Sequence, residues 1–252
     1  MAKQRLLISL AHPDDERFGL GGVISRYANE GVEVYLICAT NGDVGEVSTE
    51  MMNGYKTISE LRLAELECAA STLGLRKVYK FGYKDSGMGS PTTQDPDCLV
   101  YAWEHQPAEL TRRVVEVIRE VKPQVVITFN RYGAYGHPDH IAIQRATVEA
   151  FELTSDPEYV TEGLPPHRPQ KLYYNNIPTF MIRIGIWLMR LRRKNPRKVG
   201  TNEDIDLVAI LDHVDPVHTK IDIKNYLDRW DKANACHASQ GGGSGGGLFP
   251  QW

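Results

Sequence analysis

Residues 11–16, Ala-His-Pro-Asp-Asp-Glu, concentrate one imidazole and three carboxylates into five consecutive positions. Carboxylates held this close together repel one another unless a cation lies among them. A second cluster, His137-Pro138-Asp139-His140, follows far along the chain. Histidine and aspartate are common protein ligands of zinc. The two clusters together therefore predict a divalent metal site.

The residue types suggest how such a site would divide its work. A hydrolytic zinc site typically has three protein ligands and an open position for water, whose pKa falls toward about 7. We expect the ligands to be His12, Asp15 and His140. Asp14 is then available as a general base. His137, as a cation or hydrogen-bond donor, would stabilise an oxyanion.

Other interpretations of the same residues stay open. Two histidines and a carboxylate also form the facial triad of non-haem Fe(II) enzymes, so the ligand types allow Fe²⁺ as well as Zn²⁺. The additional acid Asp14 favours hydrolysis over oxygen chemistry. A non-catalytic sugar-binding or regulatory domain would keep the fold without the reaction, and a His-Pro-Asp turn is also a common helix cap.

The first cluster directly follows an apolar run of the strand type at residues 6–10, and the second comes a few residues after another such run at 125–129. Such runs alternate with amphipathic segments, which predicts an α/β fold with a Rossmann-like, mostly parallel sheet and helices on both faces. Ligands of these sheets bind beyond the carboxyl ends of the strands, at the switch point of the strand order. The predicted strands are 5–11, 32–39, 77–82, 124–129, 171–175 and 206–211, and the predicted helices lie near 17–30, 57–74, 107–121, 138–153 and 217–236.

Composition narrows the class of protein further. With 252 residues and 42% hydrophobic content, we expect one domain over residues 1–240, followed by a flexible glycine-rich tail or loop at 241–252. The net charge of -3 provides no basic surface for nucleic acid. The four cysteines form no Cys-x-x-Cys pair, so we expect neither a zinc knuckle nor a disulfide framework, and a cytoplasmic location. No segment is long and apolar enough for a clean membrane span.

Segment 177–194 has the pattern of an amphipathic basic helix. Three roles for it stay open: contact with a membrane surface, a subunit interface in a homo-oligomer, or a lid over the site. The plain alternative is a helix whose apolar face packs on the core. Its apolar face would carry Phe180, Ile184, Trp187 and Leu191, with Arg183, Arg190 and Lys194 elsewhere.

The motifs resemble those of the PIG-L/LmbE-like family of zinc-dependent N-acetylglucosamine deacetylases. They are most similar to its mycothiol-pathway branch, which includes a deacetylase and the mycothiol S-conjugate amidase. The resemblance covers most of residues 5–155 and the last helix, whereas segment 155–205 does not match. Besides the two clusters it rests on Gly42-Asp43-Val44-Gly45-Glu46-Val47, Arg62 with Glu65-Leu66, Asp85-Ser86-Gly87-Met88, Tyr135-Gly136 and residues 235–240.

The resemblance implies a substrate and a set of roles. The substrate would be a small amino sugar conjugate containing N-acetylglucosamine, and the reaction would be hydrolysis of its amide bond. Zinc would be bound by His12, Asp15 and His140, with Asp14 as general base and His137 stabilising the oxyanion. The substrate-binding residues would be Arg62 and Asp85 at sugar hydroxyls, with Glu46 and Met88 lining the pocket. Tyr135, on a mobile loop, would be a further catalytic residue that assists the tetrahedral intermediate.

Some of these residues could instead have purely structural roles. Arginine and aspartate suit vicinal hydroxyls because they supply paired donors and acceptors. Arg62 could instead form an ion pair with Glu65 or Glu60 on a helix surface. Asp85 could be a plain turn residue. His213, His218 and His237 are candidates for the surroundings of the site, and the resemblance brings the helix of His237 nearest to it.

Overall fold

The computed structural model describes residues 3–45, 47–52, 54–88, 94–200 and 203–242. Its centre is a parallel five-stranded sheet with the order β3-β2-β1-β4-β5. This is the predicted α/β architecture, and five of the six predicted strands lie within about two residues of observed ones. The strands are β1 Arg5–Leu10, β2 Glu33–Thr40, β3 Lys77–Tyr83, β4 Val125–Phe129 and β5 Lys171–Asn175.

Helices cover both faces of this sheet. On one face α4, α5 and α7 pack together, and α5 and α7 contact β1; on the other, α1 and α3 pack with α10. β1 is buried along nearly its whole length, and in β4 Val126, Thr128 and Phe129 are buried while Val125 and Ile127 are half-buried, which explains why both strands are mostly apolar. The helices are α1 Gly21–Asn29, α2 Thr49–Met52, α3 Ile58–Leu73, α4 Leu99–His105, α5 Pro107–Val121, α6 Gly133–Gly136, α7 Pro138–Leu153, α8 Thr179–Leu191, α9 Leu207–Asp212 and α10 Leu227–Cys236.

The strand order places both motifs at one point. The chain leaves β1 toward β2 on one side, whereas β4 pairs with β1 on the other side. The order therefore reverses between β1 and β4, and a crevice opens beyond their carboxyl ends. Residues 11–16 follow β1 and residues 130–140 follow β4, so the predicted convergence is confirmed.

Three local predictions need correction. Residues 206–211 were expected to form a strand but form α9, because the Asp206 side chain accepts hydrogen bonds from Val208 N and Ala209 N and caps a helix. The last helix begins only at Leu227 rather than near residue 217. Residues 11–20 form turns rather than helix, so that α1 begins at Gly21.

The cysteine prediction was also wrong. Cys68 in α3 and Cys236 at the end of α10 form a disulfide, with their Cα atoms 5.7 Å apart, although 168 residues separate them in the sequence. Packing of α10 against α3 brings the pair together, and local cysteine spacing carries no information about such a contact. Cys38 and Cys98 are buried free thiols.

No helix among the described ranges is long and apolar enough to cross a membrane. Most of the predicted glycine-rich tail, residues 243–252, lies outside the described residues. The division into a domain over 1–240 and a tail stays a prediction.

Candidate active site

Three predicted ligands meet beyond the ends of β1 and β4. His12 Nδ1 lies 3.1 Å from His140 Nε2, and Asp15 Oδ1 lies 3.2 Å from the same His140 nitrogen. His12 Nδ1 is 3.5 Å from Asp15 Oδ2. A tetrahedral ion with bonds of about 2.0 to 2.2 Å separates its ligands by roughly 3.3 to 3.6 Å. The three side chains thus form a triangle of a size that suits one divalent ion.

The partners of each imidazole leave one nitrogen of each ring directed into this triangle. Nδ1 of His140 donates to the carbonyl of Gly133, which leaves Nε2 as the ligand atom. Nε2 of His12 donates to the carboxylate of Asp139, 3.2 Å away, which leaves Nδ1 inward. Phe129, the last residue of β4, stacks on the His140 ring at 3.9 Å and fixes its plane.

The two inward nitrogens offer a test of whether the residues fit a metal. Lone pairs on His12 Nδ1 and His140 Nε2 would repel at 3.1 Å, so a proton or a cation must lie between them. Other possible ligand atoms lie nearby. In one group, His12, His137 and His140 each offer a ligand atom, and these atoms lie within 4.8 Å of one another. A second group of the same kind consists of His12, Asp85, His137 and Asp139. His12, His140 and Asp15 form a third set, with separations of 3.1, 3.2 and 3.5 Å that involve both oxygens of Asp15, and this set also fits a metal ion.

The charges around His12 also indicate that this position requires a cation. Burial opposes the protonated form of His12, but Asp85, Asp139 and Asp15 outweigh it and raise its pKa well above the ordinary value. Burial likewise opposes ionisation of Asp15, yet the positive charge of His140 and His12 lowers its pKa well below the usual range. The pocket therefore demands positive charge at the triangle, which a metal ion can supply in place of protons.

Asp14 stands beside the triangle on strained backbone. Its φ is 120°, a value that side-chain-bearing residues rarely adopt. Its backbone N–H donates to Glu16 Oε2 at 3.0 Å, and its carboxylate lies 3.3 Å from Arg62 Nη2. Burial raises the pKa of Asp14, whereas the charge of Arg62 opposes that rise. The position and charge of this carboxylate are thus set by its own loop and by α3.

His137 caps the first turn of α7. Its Nδ1 accepts a hydrogen bond from Asp139 N at 3.2 Å, so its proton lies on Nε2. Burial and the neighbouring charges of His12 and His140 lower its pKa well below the ordinary value. Of the two predicted states, cation or donor, these surroundings favour a neutral ring that presents an N–H. Its ring centroid lies 4.5 Å from that of His12.

The predicted substrate residues have different surroundings. Arg62 is buried and donates to Gly42 O at 2.9 Å and to Pro13 O at 2.7 Å, so the surface ion pair considered for it is absent among the described contacts. Asp85 is also buried, with Oδ1 3.6 Å from His12 Nε2. Burial opposes its ionisation, but the charge of His12 lowers its pKa. Arg62 and Asp85 both border the histidine and aspartate cluster.

The remaining predicted residues are Tyr135, Met88 and Glu46. Tyr135 stands edge-on to His137 and His140, with ring centroids 5.9 and 5.1 Å apart, and burial raises the pKa of its phenol. Met88 is half-buried, after the turn that contains Asp85. Glu46 lies outside the described residues.

Two supporting groups were not assigned roles from the sequence. Asp139 is fully buried; its Oδ2 accepts from Ser86 N at 2.9 Å as well as facing His12, so it fixes the His12 ring. Its position inside His-Pro-Asp-His was the only signal. The carboxylate of Glu16 accepts a hydrogen bond from His237 Nε2 at 2.6 Å, with both side chains fully buried.

The other two histidines are more distant. His213 stacks on Tyr132 with ring centroids 4.2 Å apart, and both His213 and His218 are exposed. His237 is therefore the one of the three that reaches the loop of the first motif.

Comparisons with known proteins identify the family of this chain. The sequence profile of the family described as PIG-L, GlcNAc-PI de-N-acetylase, matches residues 7–151. A 1D-myo-inositol 2-acetamido-2-deoxy-alpha-D-glucopyranoside deacetylase from Thermobispora bispora is 35% identical, over 95% of this chain and 80% of its own length. The range matched by the family profile includes both the first motif, residues 11–16, and the second, residues 137–140.

Two solved structures show how widely the fold is used. The N,N'-diacetylchitobiose deacetylase from Pyrococcus horikoshii has a TM-score of 0.53 and 24% identity, covering 76% of this chain and 70% of its own. GalB, the 4-carboxy-2-hydroxymuconate hydratase from Pseudomonas putida KT2440, has a TM-score of 0.62 and 19% identity, covering 94% and 80%. These structures establish the fold alone, because different reactions share it. The profile match and the 35% identical relative establish more: the chain belongs to the PIG-L family of de-N-acetylases, enzymes that hydrolyse amide bonds.

Proposed function

We propose that this protein is a metal-dependent deacetylase of an N-acetylglucosamine conjugate, and that the conjugate carries an inositol or a similar polar alcohol at the anomeric carbon. The observation that carries the proposal is the convergence of His12 Nδ1, His140 Nε2 and Asp15 beside the carboxylate of Asp14. The substrate follows the printed activity of the Thermobispora bispora relative.

The metal would be held by His12, Asp15 and His140. When bound, a Zn²⁺ ion supplies an acidified water and polarises the amide carbonyl. Fe²⁺ suits the same ligand types. We favour hydrolysis with either ion because a carboxylate that is not a ligand, Asp14, stands next to them.

The proton transfers involve the side chains around that ion. Asp14 removes a proton from the attacking water, and the water oxygen forms a bond to the amide carbon. The Nε2–H of His137 donates to the oxygen that gains negative charge. When the C–N bond breaks, the proton held by Asp14 passes to the nitrogen, which gives acetate and a free amine.

The substrate residues in this proposal are Arg62, Asp85, Met88 and Glu46, with Tyr135 beside the reacting carbonyl. Arg62 and Asp85 are supported by their burial at the rim of the cluster. The cytoplasmic location predicted from the cysteines stays a prediction, and the disulfide removes part of its basis.

The test of the base is Asp14→Asn. The amide keeps the size of the side chain but cannot accept the proton, so we expect kcat to fall by at least about 10²-fold while the metal content is unchanged. Acetate release from N-acetylglucosaminyl-inositol is the assay, and metal per chain is measured by elemental analysis. Full activity of the variant on any substrate that the wild type cleaves would exclude this role.

A second experiment separates the metals and the classes of protein. Chelation should abolish acetate release and lower the thermal midpoint, because a ligand that binds only the folded state at 100 times its Kd adds about 2.7 kcal/mol. Re-addition of Zn²⁺ or Fe²⁺ under anaerobic conditions identifies the active ion. Tight sugar binding without acetate release in the metal-loaded protein would favour the non-catalytic alternative.

A further inference from the structure

Helix α8 carries apolar side chains on the face that points away from the rest of the molecule. Phe180, Trp187 and Leu191 are 70%, 61% and 62% exposed. At about 100° per residue these three fall within an arc of roughly 40°. The opposite face, with Ile182 and Ile186, is buried in a small cluster that also receives Tyr132 and Tyr135. The expected apolar stripe is therefore not the face that packs on the core.

A group of cations accompanies this outward stripe. No aspartate or glutamate occurs between residues 177 and 202. Among the described residues, no carboxylate pairs with the five exposed cations of the helix and its end, whereas the next two, Arg197 and Lys198, pair with Asp206 and Glu203. The five are Arg183, Arg190, Arg192, Arg193 and Lys194.

Ordinary helix chemistry explains only part of this arrangement. Cations near a helix C-terminus interact favourably with its dipole, which accounts for Arg190 and the residues that follow it. Arg183 lies in the middle of α8, and the dipole has no bearing on Trp187 or its apolar neighbours. An exposed apolar stripe bordered by unpaired cations is the pattern of a helix that lies in a membrane interface.

We propose that α8 docks this protein on an anionic phospholipid surface. Phe180, Trp187 and Leu191 would enter the boundary between headgroups and acyl chains, and the five cations would contact lipid phosphates. A second copy of the chain fits less well, because pairing two α8 faces brings five unpaired cations against five more. Nucleic acid would satisfy the cations but leave the apolar stripe in water.

Vesicle sedimentation tests the proposal with the full, metal-loaded chain. We expect roughly tenfold or more binding to phosphatidylcholine vesicles that contain phosphatidylglycerol than to phosphatidylcholine alone, with most of it lost in 0.5 M salt. The variant Phe180→Ser/Trp187→Ser/Leu191→Ser should lose that binding. So should a variant with all five cations changed to glutamine. Trp187 fluorescence should shift to the blue on binding, and Trp187→Phe should remove that shift.

Matched controls remove equal numbers of apolar or charged groups elsewhere on the surface. The triple variant Val160→Ser/Val217→Ser/Leu227→Ser changes exposed apolar residues far from α8 in sequence. The charge control changes Lys56, Arg145, Lys220, Lys224 and Lys232 to glutamine, all of them exposed. Both controls should bind vesicles like the wild type.

The proposal fails if the wild type does not bind anionic vesicles or if the apolar triple variant binds as well as the wild type. It also fails if the wild type forms a dimer in sedimentation velocity that the triple variant abolishes, without vesicle binding, since α8 would then be a subunit interface. Acetate release from a water-soluble substrate is recorded for every variant. It should be unchanged, because the altered side chains point away from Tyr135.

Discussion

The two ring nitrogens of His12 have different partners. Its Nε2 is held by Asp139, which in turn is held by the backbone of Ser86, while Nδ1 is left for the ion. A carboxylate on the far side of a ligating imidazole fixes the ring and makes it a stronger ligand. The same logic operates on Asp14, whose peptide N–H is held by Glu16, itself held by His237. At the scale of single residues, the proposed chemistry would depend on buried side chains that lie behind the candidate ligand and the candidate base.

The pair of Glu16 and His237 allows a quantitative test. His237→Ala leaves the fully buried carboxylate of Glu16 without its partner, so we expect the free energy of unfolding to fall by roughly 3 kcal/mol or more. We also expect kcat to fall about 10- to 100-fold with metal retained, because Asp14 loses its support. Urea unfolding and acetate release are the measurements.

The control for this test is a double-mutant cycle. Glu16→Gln/His237→Ala removes the uncompensated carboxylate, so its destabilisation should be smaller than the sum of the two single variants. Additive effects would mean that the two side chains do not interact.

Residue types could be predicted from the sequence, but their pairings could not. His12, Asp15 and His140 were identifiable because crowded carboxylates and imidazoles have few purposes other than binding a cation. Glu16 and His237 lie 221 positions apart, and nothing in either local sequence indicates the other. The choice of ring nitrogen in His12 depends on Asp139, whose contact exists only in the fold.

At the scale of elements, α10 packs against α3 and is joined to it by several contacts. The disulfide joins the two helices, and Glu65 of α3 accepts hydrogen bonds from both the backbone N–H and the hydroxyl of Ser239, just after α10. Gln240 O accepts from Arg17 at 2.9 Å. The end of the described chain thus supports the loop of the first motif through several contacts at once.

Reduction of the disulfide should therefore weaken both stability and activity. Cys68→Ser/Cys236→Ser is expected to lower the free energy of unfolding by about 2 to 4 kcal/mol, since the bridge closes a long loop in the unfolded chain. Cys236 directly precedes His237, so a few-fold loss of kcat should accompany it. Urea unfolding with and without dithiothreitol is the measurement.

The double serine variant is also the control for the reductant. Dithiothreitol should shift the wild type to the midpoint of the variant and leave the variant itself unchanged. A wild-type midpoint that does not respond to reductant would show that the bridge contributes nothing in solution.

The elements near the sheet followed from the sequence better than those beyond residue 155. Buried parallel strands have a strong pattern, and the eight predicted segments between residues 5 and 153 all have counterparts. The run at 205–211 has apolar residues in an order that fits a strand, but Asp206 caps it into a helix. In a short apolar run, periodicity does not distinguish a strand from a helix, and a local helix cap then determines which of the two forms.

At the scale of the whole molecule, the reversal of strand order between β1 and β4 is what unites two distant motifs. The motifs lie at one edge of the sheet, and α8 and α9 pack against Tyr132 and Tyr135 of the loop that follows β4. One chain segment thus touches both the surroundings of the site and the face proposed to meet a membrane.

Two truncations test which C-terminal residues are needed for stability and for activity. Ending the chain at Gly242 should change the free energy of unfolding by no more than about 0.5 kcal/mol, as for surface changes in general, and leave kcat unchanged. Ending it at Asn234 removes Cys236, His237 and Ser239 together, so we expect a large loss of stability and of acetate release. Thermal unfolding and the acetate assay measure both.

If the shorter chain does not fold, ending at Cys236 keeps the disulfide and tests the joint loss of His237, Ser239 and Gln240 with their contacts. Wild-type behaviour of the chain that ends at Asn234 would contradict the role given to its end.

The positive φ of Asp14 has a consequence for how this protein can change. Glycine adopts that conformation freely, so replacing Asp14 by glycine would relieve part of a strain of about 1 to 3 kcal/mol while removing the base. Selection for thermal stability alone would then favour inactive variants at this position. An aspartate that is lost to glycine under selection for stability alone but persists under selection for activity would be evidence that catalysis, rather than folding, keeps it in place.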